Sequence, residues 1–183
     1  MTAYRGRIRD ITYIALATAV IAVSAQISIP LTVPVTLQTL AIFLAVTLLG
    51  TGRGTAAVGL YIFIGAIGIP VFSSFKGGLA VLLGATGGYI IGFIPMAVIA
   101  GIIIGDSQKR LRIILALSAG ILVLYSFGTV FFILMWMRGG EQIGFYTVLA
   151  KCVLPFIPAD AIKIWICTEI TVRLKGKIKY LKG

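Results

Sequence analysis

The sequence predicts an all-α integral membrane protein, a compact bundle of six transmembrane helices that forms a single domain over residues 1–183. Two observations predict this class. Hydrophobic residues make up 60% of the chain and the mean hydropathy is +1.11, whereas a soluble domain of this length exposes far more charge. The few charged residues also leave long uncharged segments, and roughly 20 apolar residues suffice to cross a hydrocarbon core about 30 Å thick.

The uncharged segments place the six helices in order. The first, residues 11–52, is long enough for two spans, which Pro30 and Pro34 divide. Three further uncharged segments, residues 54–75, 77–105 and 113–137, hold one span each, and a sixth span follows near the C-terminus. The pattern predicts helices over residues 8–29, 36–50, 55–69, 86–105, 111–137 and 148–172.

The basic residues predict how these helices are oriented. A net charge of +11 in a soluble protein suggests a nucleic-acid partner. Here, however, twelve of the sixteen lysines and arginines fall in the two terminal segments and in the short turns around residues 53 and 106–112. Cytoplasmic segments of membrane proteins carry such an excess. We therefore expect a multi-pass protein of the cell membrane with both termini cytoplasmic, and no nucleic-acid partner.

The predicted outer connections differ from simple solvent loops. Residues 30–35, 70–83 and 138–147 are rich in proline, glycine and aromatic residues, and the second helix is short. Irregular backbone at membrane depth is tolerated only where protein buries it or a cavity solvates it. The sequence therefore predicts a ligand cavity with a lid in the outer half of the bundle.

Two absences narrow the chemistry. The chain has no histidine, which excludes histidine-based acid–base catalysis and most zinc sites. It also lacks the GxxxxGK[ST] motif that cradles nucleotide phosphates. We expect no metal site, no cofactor and no enzymatic activity.

One charged pair is predicted to lie deep in the membrane. Asp160 precedes Arg173, near the inner boundary, by thirteen residues, which is about 20 Å of helix. Lys163 follows Asp160 at i+3, on the same helical face. A charge at this depth costs about 2.5–3.5 kcal/mol and usually marks a functional site. The alternative is a neutralised ion pair that only pins the sixth helix to a neighbour.

Three uncharged side chains are further candidates for the cavity. Tyr89 can stack on a ligand or hydrogen-bond to it, or can belong to the aromatic belt at the membrane interface. Thr36 and Gln38 follow the proline-rich connection, and Thr36 can instead cap the second helix. On the first helix, Ala15 and Ala19 form a small-residue ridge that suits close helix contact, either with a partner or within the bundle.

Four stretches together resemble one family. These are PVTLQ at 34–38, GAIGIPVF at 65–72, GGLAVLLGATGGY at 77–89 and PADAIK at 158–163. They are similar to the BioY family, the biotin-binding S components of energy-coupling factor (ECF) transporters. The resemblance implies that a six-helix prokaryotic membrane subunit captures biotin at the outer face.

The resemblance also implies roles for particular residues. Asp160 and Lys163 match the family's polar ligand contacts, Pro34 and Val35 match its lid, and Ala15 and Ala19 match the motif that docks on a transmembrane coupling protein. The other implied partners are two ABC ATPases. We expect Asp160 to accept the ureido N–H groups of biotin, and Lys163 to meet either the ring carbonyl or the carboxylate.

Two other functions stay open at this point. The chain can be a stand-alone biotin facilitator, although its buried polarity is concentrated at one level rather than along a path to both sides. It can also be a membrane-embedded enzyme that uses Asp160 and Lys163 as an acid–base pair, which the scarcity of other polar core groups disfavours.

Overall fold

The structure, a computed structural model, describes residues 2–31, 33–138 and 144–175. These residues form eight α-helices and two short antiparallel strands. The helices are α1 (Thr2–Gln26), α2 (Gln38–Leu49), α3 (Thr51–Ala66), α4 (Leu79–Leu83), α5 (Gly87–Ile104), α6 (Arg110–Arg138), α7 (Phe145–Cys152) and α8 (Phe156–Lys175), and the strands are β1 (Ser28–Ile29) and β2 (Val35–Thr36). The described residues are mostly helical, which confirms the predicted helical class, and α1, α2, α3, α5, α6 and α8 overlap the six predicted segments in order.

Three of the described helices are long and apolar enough to cross a bilayer. These spans are Gly6–Gln26 within α1, Gly87–Ile104 and Arg110–Arg138. Helix α2 is also apolar but has only 12 residues, about 18 Å of helix. The chain is therefore a membrane protein in which apolar helices of different lengths pack together.

The first helix ends earlier than predicted. The prediction extended it to residue 29, but α1 stops at Gln26, and Ser28 and Ile29 pair with Thr36 and Val35 in a small hairpin. Pro30 explains the difference, because a residue that precedes proline is disfavoured in the helical region. The backbone N–H of Leu37 donates to Ile27 O at 3.1 Å and closes the base of this hairpin.

The predicted sixth helix is wrong as a single element. Residues 148–172 divide into the end of α7 and most of α8, with a break at residues 153–155. Pro155 lacks a backbone N–H and disfavours helical geometry at Leu154, so the helix cannot continue through it. Pro158 is tolerated because it lies in the first turn of α8, where backbone N–H groups have no partner within the helix. Because of this break, α8 begins as a separate helix at Phe156.

Glycines set how closely the helices approach. Gly50 alone separates α2 from α3, and its φ of 84° is a conformation that glycine adopts without steric cost. In the same hairpin, a Cβ on Gly54 would lie 2.7 Å from the Val46 Cα atom. Between α5 and α6, a Cβ on Gly128 would lie 2.3 Å from the Tyr89 ring. The last contact fixes where Tyr89 sits in the bundle.

Two glycines of α3 provide a matched test of this packing. Gly54→Ala forces a methyl group against α2 backbone, and overpacking of this kind costs about 1–3 kcal/mol. Gly59→Ala places its methyl group in open space and gains about 0.5–1 kcal/mol of helix preference. In one detergent, thermal unfolding should show a melting temperature lowered by several degrees for Gly54→Ala and unchanged or raised for Gly59→Ala. Equal melting temperatures for the two variants would contradict the packing described here.

Candidate functional site

A cavity of about 190 Å³ lies at the end of the bundle where α2 and α5 begin. The β1–β2 hairpin, the loop at residues 72–76, and helices α2, α3, α5, α6 and α8 all contribute side chains to its wall. Apolar groups form much of the lining, including Phe72, Phe93, Leu124 and Phe156. The cavity therefore combines an apolar wall with a small number of polar groups, as ligand sites usually do.

Asp160 and Lys163 form an ion pair that lines this cavity. Lys163 Nζ lies 2.9 Å from Asp160 Oδ1, and the two residues are only 5% and 2% exposed. One turn of α8 separates them, so the helix itself sets the spacing. The pair therefore faces a space that side chains of other helices also line.

Two neighbouring helices complete the network. Thr39 of α2 accepts a hydrogen bond from Lys163 Nζ at 2.9 Å and donates to Asp160 Oδ1 at 3.2 Å. Tyr125 of α6 donates its hydroxyl hydrogen to Asp160 Oδ2 at 2.7 Å. Hydrogen bonds to a charged carboxylate are among the stronger ones in proteins, so three helices converge on one carboxyl group.

Asp160 and Lys163 each keep part of their hydrogen-bonding capacity unused. A carboxylate offers about four acceptor places, and the described residues fill three of those on Asp160, two at Oδ1 and one at Oδ2. An ammonium has three donors, and Lys163 uses two of them. One acceptor place on Oδ2 and one Lys163 donor therefore remain free, within a pair whose net charge is zero.

Thr36 and Gln38 also line the cavity, as predicted. The Thr36 hydroxyl accepts a hydrogen bond from the Gln38 backbone N–H at 3.2 Å, so Thr36 both supports the start of α2 and faces the cavity. Gln38 is 4% exposed, and its amide lies beside the Tyr61 hydroxyl. Both side chains line the cavity.

Tyr89 faces the cavity rather than the membrane interface. It is 6% exposed, and its hydroxyl lies 3.2 Å from Thr129 Oγ1 on α6. The hydroxyl is therefore partnered within the protein, which leaves the ring as the surface that Tyr89 offers to a ligand.

The remaining predicted residues lie in two places. Pro34 lines the cavity, whereas Val35 is buried in β2 and is not part of the lining. Ala15 and Ala19 are exposed on α1, beside a separate groove of about 230 Å³ against α3. Tyr61 of α3 borders both this groove and the cavity.

Sequence reasoning missed two members of the network, Thr39 and Tyr125. Thr39 lies one position beyond Gln38, in the first turn of α2. Tyr125 is a polar residue in the middle of the uncharged segment 113–137 of α6, which was a usable signal because polar groups at membrane depth usually have a partner. The partner of both side chains is Asp160, which lies 35 residues from Tyr125 and 121 residues from Thr39 in the sequence.

Comparisons with known proteins give a consistent result. The model of the BioY family matches residues 1–180. A biotin transporter BioY from Thermotoga maritima is 37% identical over 172 residues, 91% of this chain and 96% of its own. A probable biotin transporter BioY from Pyrococcus horikoshii is 38% identical over 169 residues, 92% of this chain and 97% of its own.

A solved structure shares the fold. The crystal structure of the S component for biotin from an ECF-type ABC transporter superposes with a TM-score of 0.82 at 29% sequence identity, and the match covers 93% of this chain and 92% of that one. The mostly helical architecture with apolar helices is therefore that of a membrane S component.

The ion pair makes a prediction about stability that needs no ligand. Asp160→Ala leaves the Lys163 ammonium buried without its carboxylate, and removing one partner of a buried pair costs about 3–5 kcal/mol. Adding Lys163→Met to the same chain removes the stranded charge, so the double variant should melt at a higher temperature than Asp160→Ala alone in the same detergent.

A second acidic residue of α8 serves as the control. Glu169 pairs with Arg173 at 2.7 Å, as its i,i+4 spacing predicts, but Arg173 is largely exposed. Glu169→Ala should lower the melting temperature far less than Asp160→Ala, because ion pairs at exposed positions contribute little to stability. A double variant no more stable than Asp160→Ala would show that the buried pair does not carry the expected energy.

Proposed function

This chain belongs to the BioY family, and we infer from that membership and from its cavity that it is the biotin-binding S component of an ECF-type transporter. One observation carries the proposal. Asp160 keeps one acceptor place free on Oδ2 and Lys163 keeps one donor free, within an ion pair whose Nζ and Oδ1 atoms lie 2.9 Å apart. A cyclic urea carries an N–H donor next to a carbonyl acceptor, which is the complementary arrangement.

The chemistry of biotin fits the remainder of the cavity. We assign the free place on Asp160 Oδ2 to a ureido N–H and the third Lys163 donor to the ureido carbonyl. Both ligand groups are uncharged, as suits an ion pair that is already neutralised. The thioether ring is apolar and fits the phenylalanine and leucine side chains of the wall, with the Tyr89 ring as a stacking surface.

The proposed membrane arrangement is six spans with both termini cytoplasmic and the cavity in the outer half. Ion pairs support it by bringing basic ends together. Arg53 at the start of α3 lies 2.8 Å from Asp10 of α1, and Arg110 at the start of α6 lies 3.2 Å from Glu169 of α8. None of these four residues lines the cavity. The end of the bundle that carries them is rich in basic residues, and the positive-inside rule assigns that end to the cytoplasm, in the cell membrane of a prokaryote.

The β1–β2 hairpin is proposed as the lid. Pro34 contributes to the cavity wall and Val35 anchors the hairpin in the protein interior. The cavity of about 190 Å³ is smaller than the roughly 300 Å³ at the lower end of ligand sites. Biotin therefore enters by displacing the hairpin outwards.

Energy for uptake is proposed to come from partners, namely a transmembrane coupling protein and two ABC ATPases. The sequence contains no phosphate-binding GxxxxGK[ST] motif. The exposed Ala15 and Ala19, with the groove between α1 and α3, give a helix of the coupling protein a surface of small residues against which it can pack closely.

Removal of the Asp160 carboxylate should weaken biotin binding by more than tenfold. Asp160→Ala leaves the ureido donor without its charged acceptor in a water-poor site, and a hydrogen bond to a charged group contributes about 1.5–3 kcal/mol. Titration calorimetry in detergent measures the dissociation constant, and Glu169→Ala on the same helix should bind biotin like the parent protein. Unchanged affinity in Asp160→Ala would reject the assignment of Asp160.

Bulky residues on the small face of α1 should separate docking from ligand binding. Ala15→Trp with Ala19→Trp fills the α1–α3 groove, so co-purification with the coupling protein and the ATPases should be lost while biotin affinity is retained. Leu122→Trp, on an exposed apolar position of α6 outside this groove, is the control and should leave the complex intact. A complex that survives the alanine substitutions would disprove docking at this face.

A further inference from the structure

We propose that Lys76 recognises the carboxylate of the ligand's side arm, so that the cavity selects the free acid over neutral derivatives. The inference rests on the proposed function and deepens it. The charges of ligand and site do not match, because the ligand is an anion whereas the Asp160–Lys163 pair at the base of the cavity carries no net charge.

Within the described part of the chain, Lys76 is the charged residue of the cavity wall that the Asp160–Lys163 pair leaves without a counter-ion. Three of the described residues that line the cavity are charged, namely Asp160, Lys163 and Lys76. The first two neutralise each other at 2.9 Å. Lys76 forms no ion pair within the described residues. It is therefore the cation of the wall that is free to balance an anion.

Lys163 is poorly placed for this role. It is 5% exposed, and two of its three donors are bound to Asp160 and Thr39. Its remaining donor belongs to the same ion pair as the free place on Asp160, and the proposed function assigns these two positions to a ureido carbonyl and N–H. A carboxylate at that point would approach Asp160 as a like charge and be repelled. The two ends of the ligand therefore need two different cations.

The position of Lys76 suits the far end of the ligand. Its side chain is exposed although it contributes to the wall, so it lies where the cavity opens. A ligand that places its ring against Asp160 points its arm away from the buried base, towards this opening. An anion at the opening keeps part of its hydration, which avoids the cost of burying a charge.

The loop that carries Lys76 is fixed in place. Phe72 and Lys76 exchange two backbone hydrogen bonds, at 2.9 and 3.3 Å. Between them, Ser74 and Phe75 adopt φ angles of 61° and 55°, a conformation that residues with a side chain rarely hold unless their surroundings enforce it.

Gln26, at the end of α1, supplies that enforcement. Its Nε2 donates to Val71 O and Phe72 O at 3.1 and 3.2 Å, and its Oε1 accepts from the Phe75 N–H at 3.0 Å. The buried ring of Phe72 occupies the space above Gly65, where a Cβ would lie 2.2 Å from it. Lys76 therefore projects from a preorganised loop, which lowers the entropic cost of binding.

The test compares biotin with biotin amide, in which an uncharged carboxamide replaces the carboxylate. The parent protein should bind biotin about fivefold more tightly than the amide by calorimetry in detergent, equivalent to about 1 kcal/mol. Lys76→Gln should reduce this ratio to about one by weakening biotin, with affinity for the amide changed less than twofold. Lys76→Arg should retain the preference, and raising the salt concentration should diminish it in the parent protein.

The control is Lys151→Gln, which removes an exposed lysine that does not line the cavity. It should keep the parent preference. The inference is overturned if Lys76→Gln keeps the preference, if it weakens both compounds equally, or if the parent protein binds both compounds with the same affinity. If the parent protein binds neither compound, the proposed function itself fails.

Discussion

The buried carboxylate of Asp160 is the constraint on which the arrangement of the bundle depends. A charge at this depth is stable only if nearby groups compensate for its lost hydration. Lys163 does so from the same helix, whereas Thr39 and Tyr125 do so from α2 and α6. Further along the same helix pair, Thr171 of α8 donates to Thr47 of α2 at 2.9 Å. Helices α2 and α8 are therefore joined by hydrogen bonds at two levels. At the level of Asp160, which faces the cavity, one acceptor place and one donor are left unused.

A second part of the cavity wall, the loop that carries Lys76, is held by different means. The loop at residues 71–76 is irregular, and its backbone groups need partners wherever water is scarce. Gln26 provides several of these partners from the end of α1, and the buried ring of Phe72 packs edge-on against Tyr61. One wall thus depends on a charged network and the other on a single amide with an apolar anchor. Together they hold the polar groups of the cavity in fixed positions.

Much of the fold was readable from the sequence, because uncharged segments of membrane-spanning length are a direct physical signal. The Asp160–Lys163 pair was also readable, since a charge within such a segment is rare and its neighbour at i+3 is set by helix geometry. The break before α8 was not predicted, although Pro155 was visible, because a proline can either kink a helix or end it. Thr39 and Tyr125 were missed because their roles depend on how distant helices pack.

The position of Tyr61 has a consequence for how the two spaces of the protein relate. This one aromatic side chain lines both the cavity at the start of α2 and the groove that Ala15 and Ala19 border. Its hydroxyl donates to Val71 O at 3.3 Å, and Val71 also borders the groove. A substitution that shortens this side chain therefore changes the lining of the cavity and of the groove at the same time.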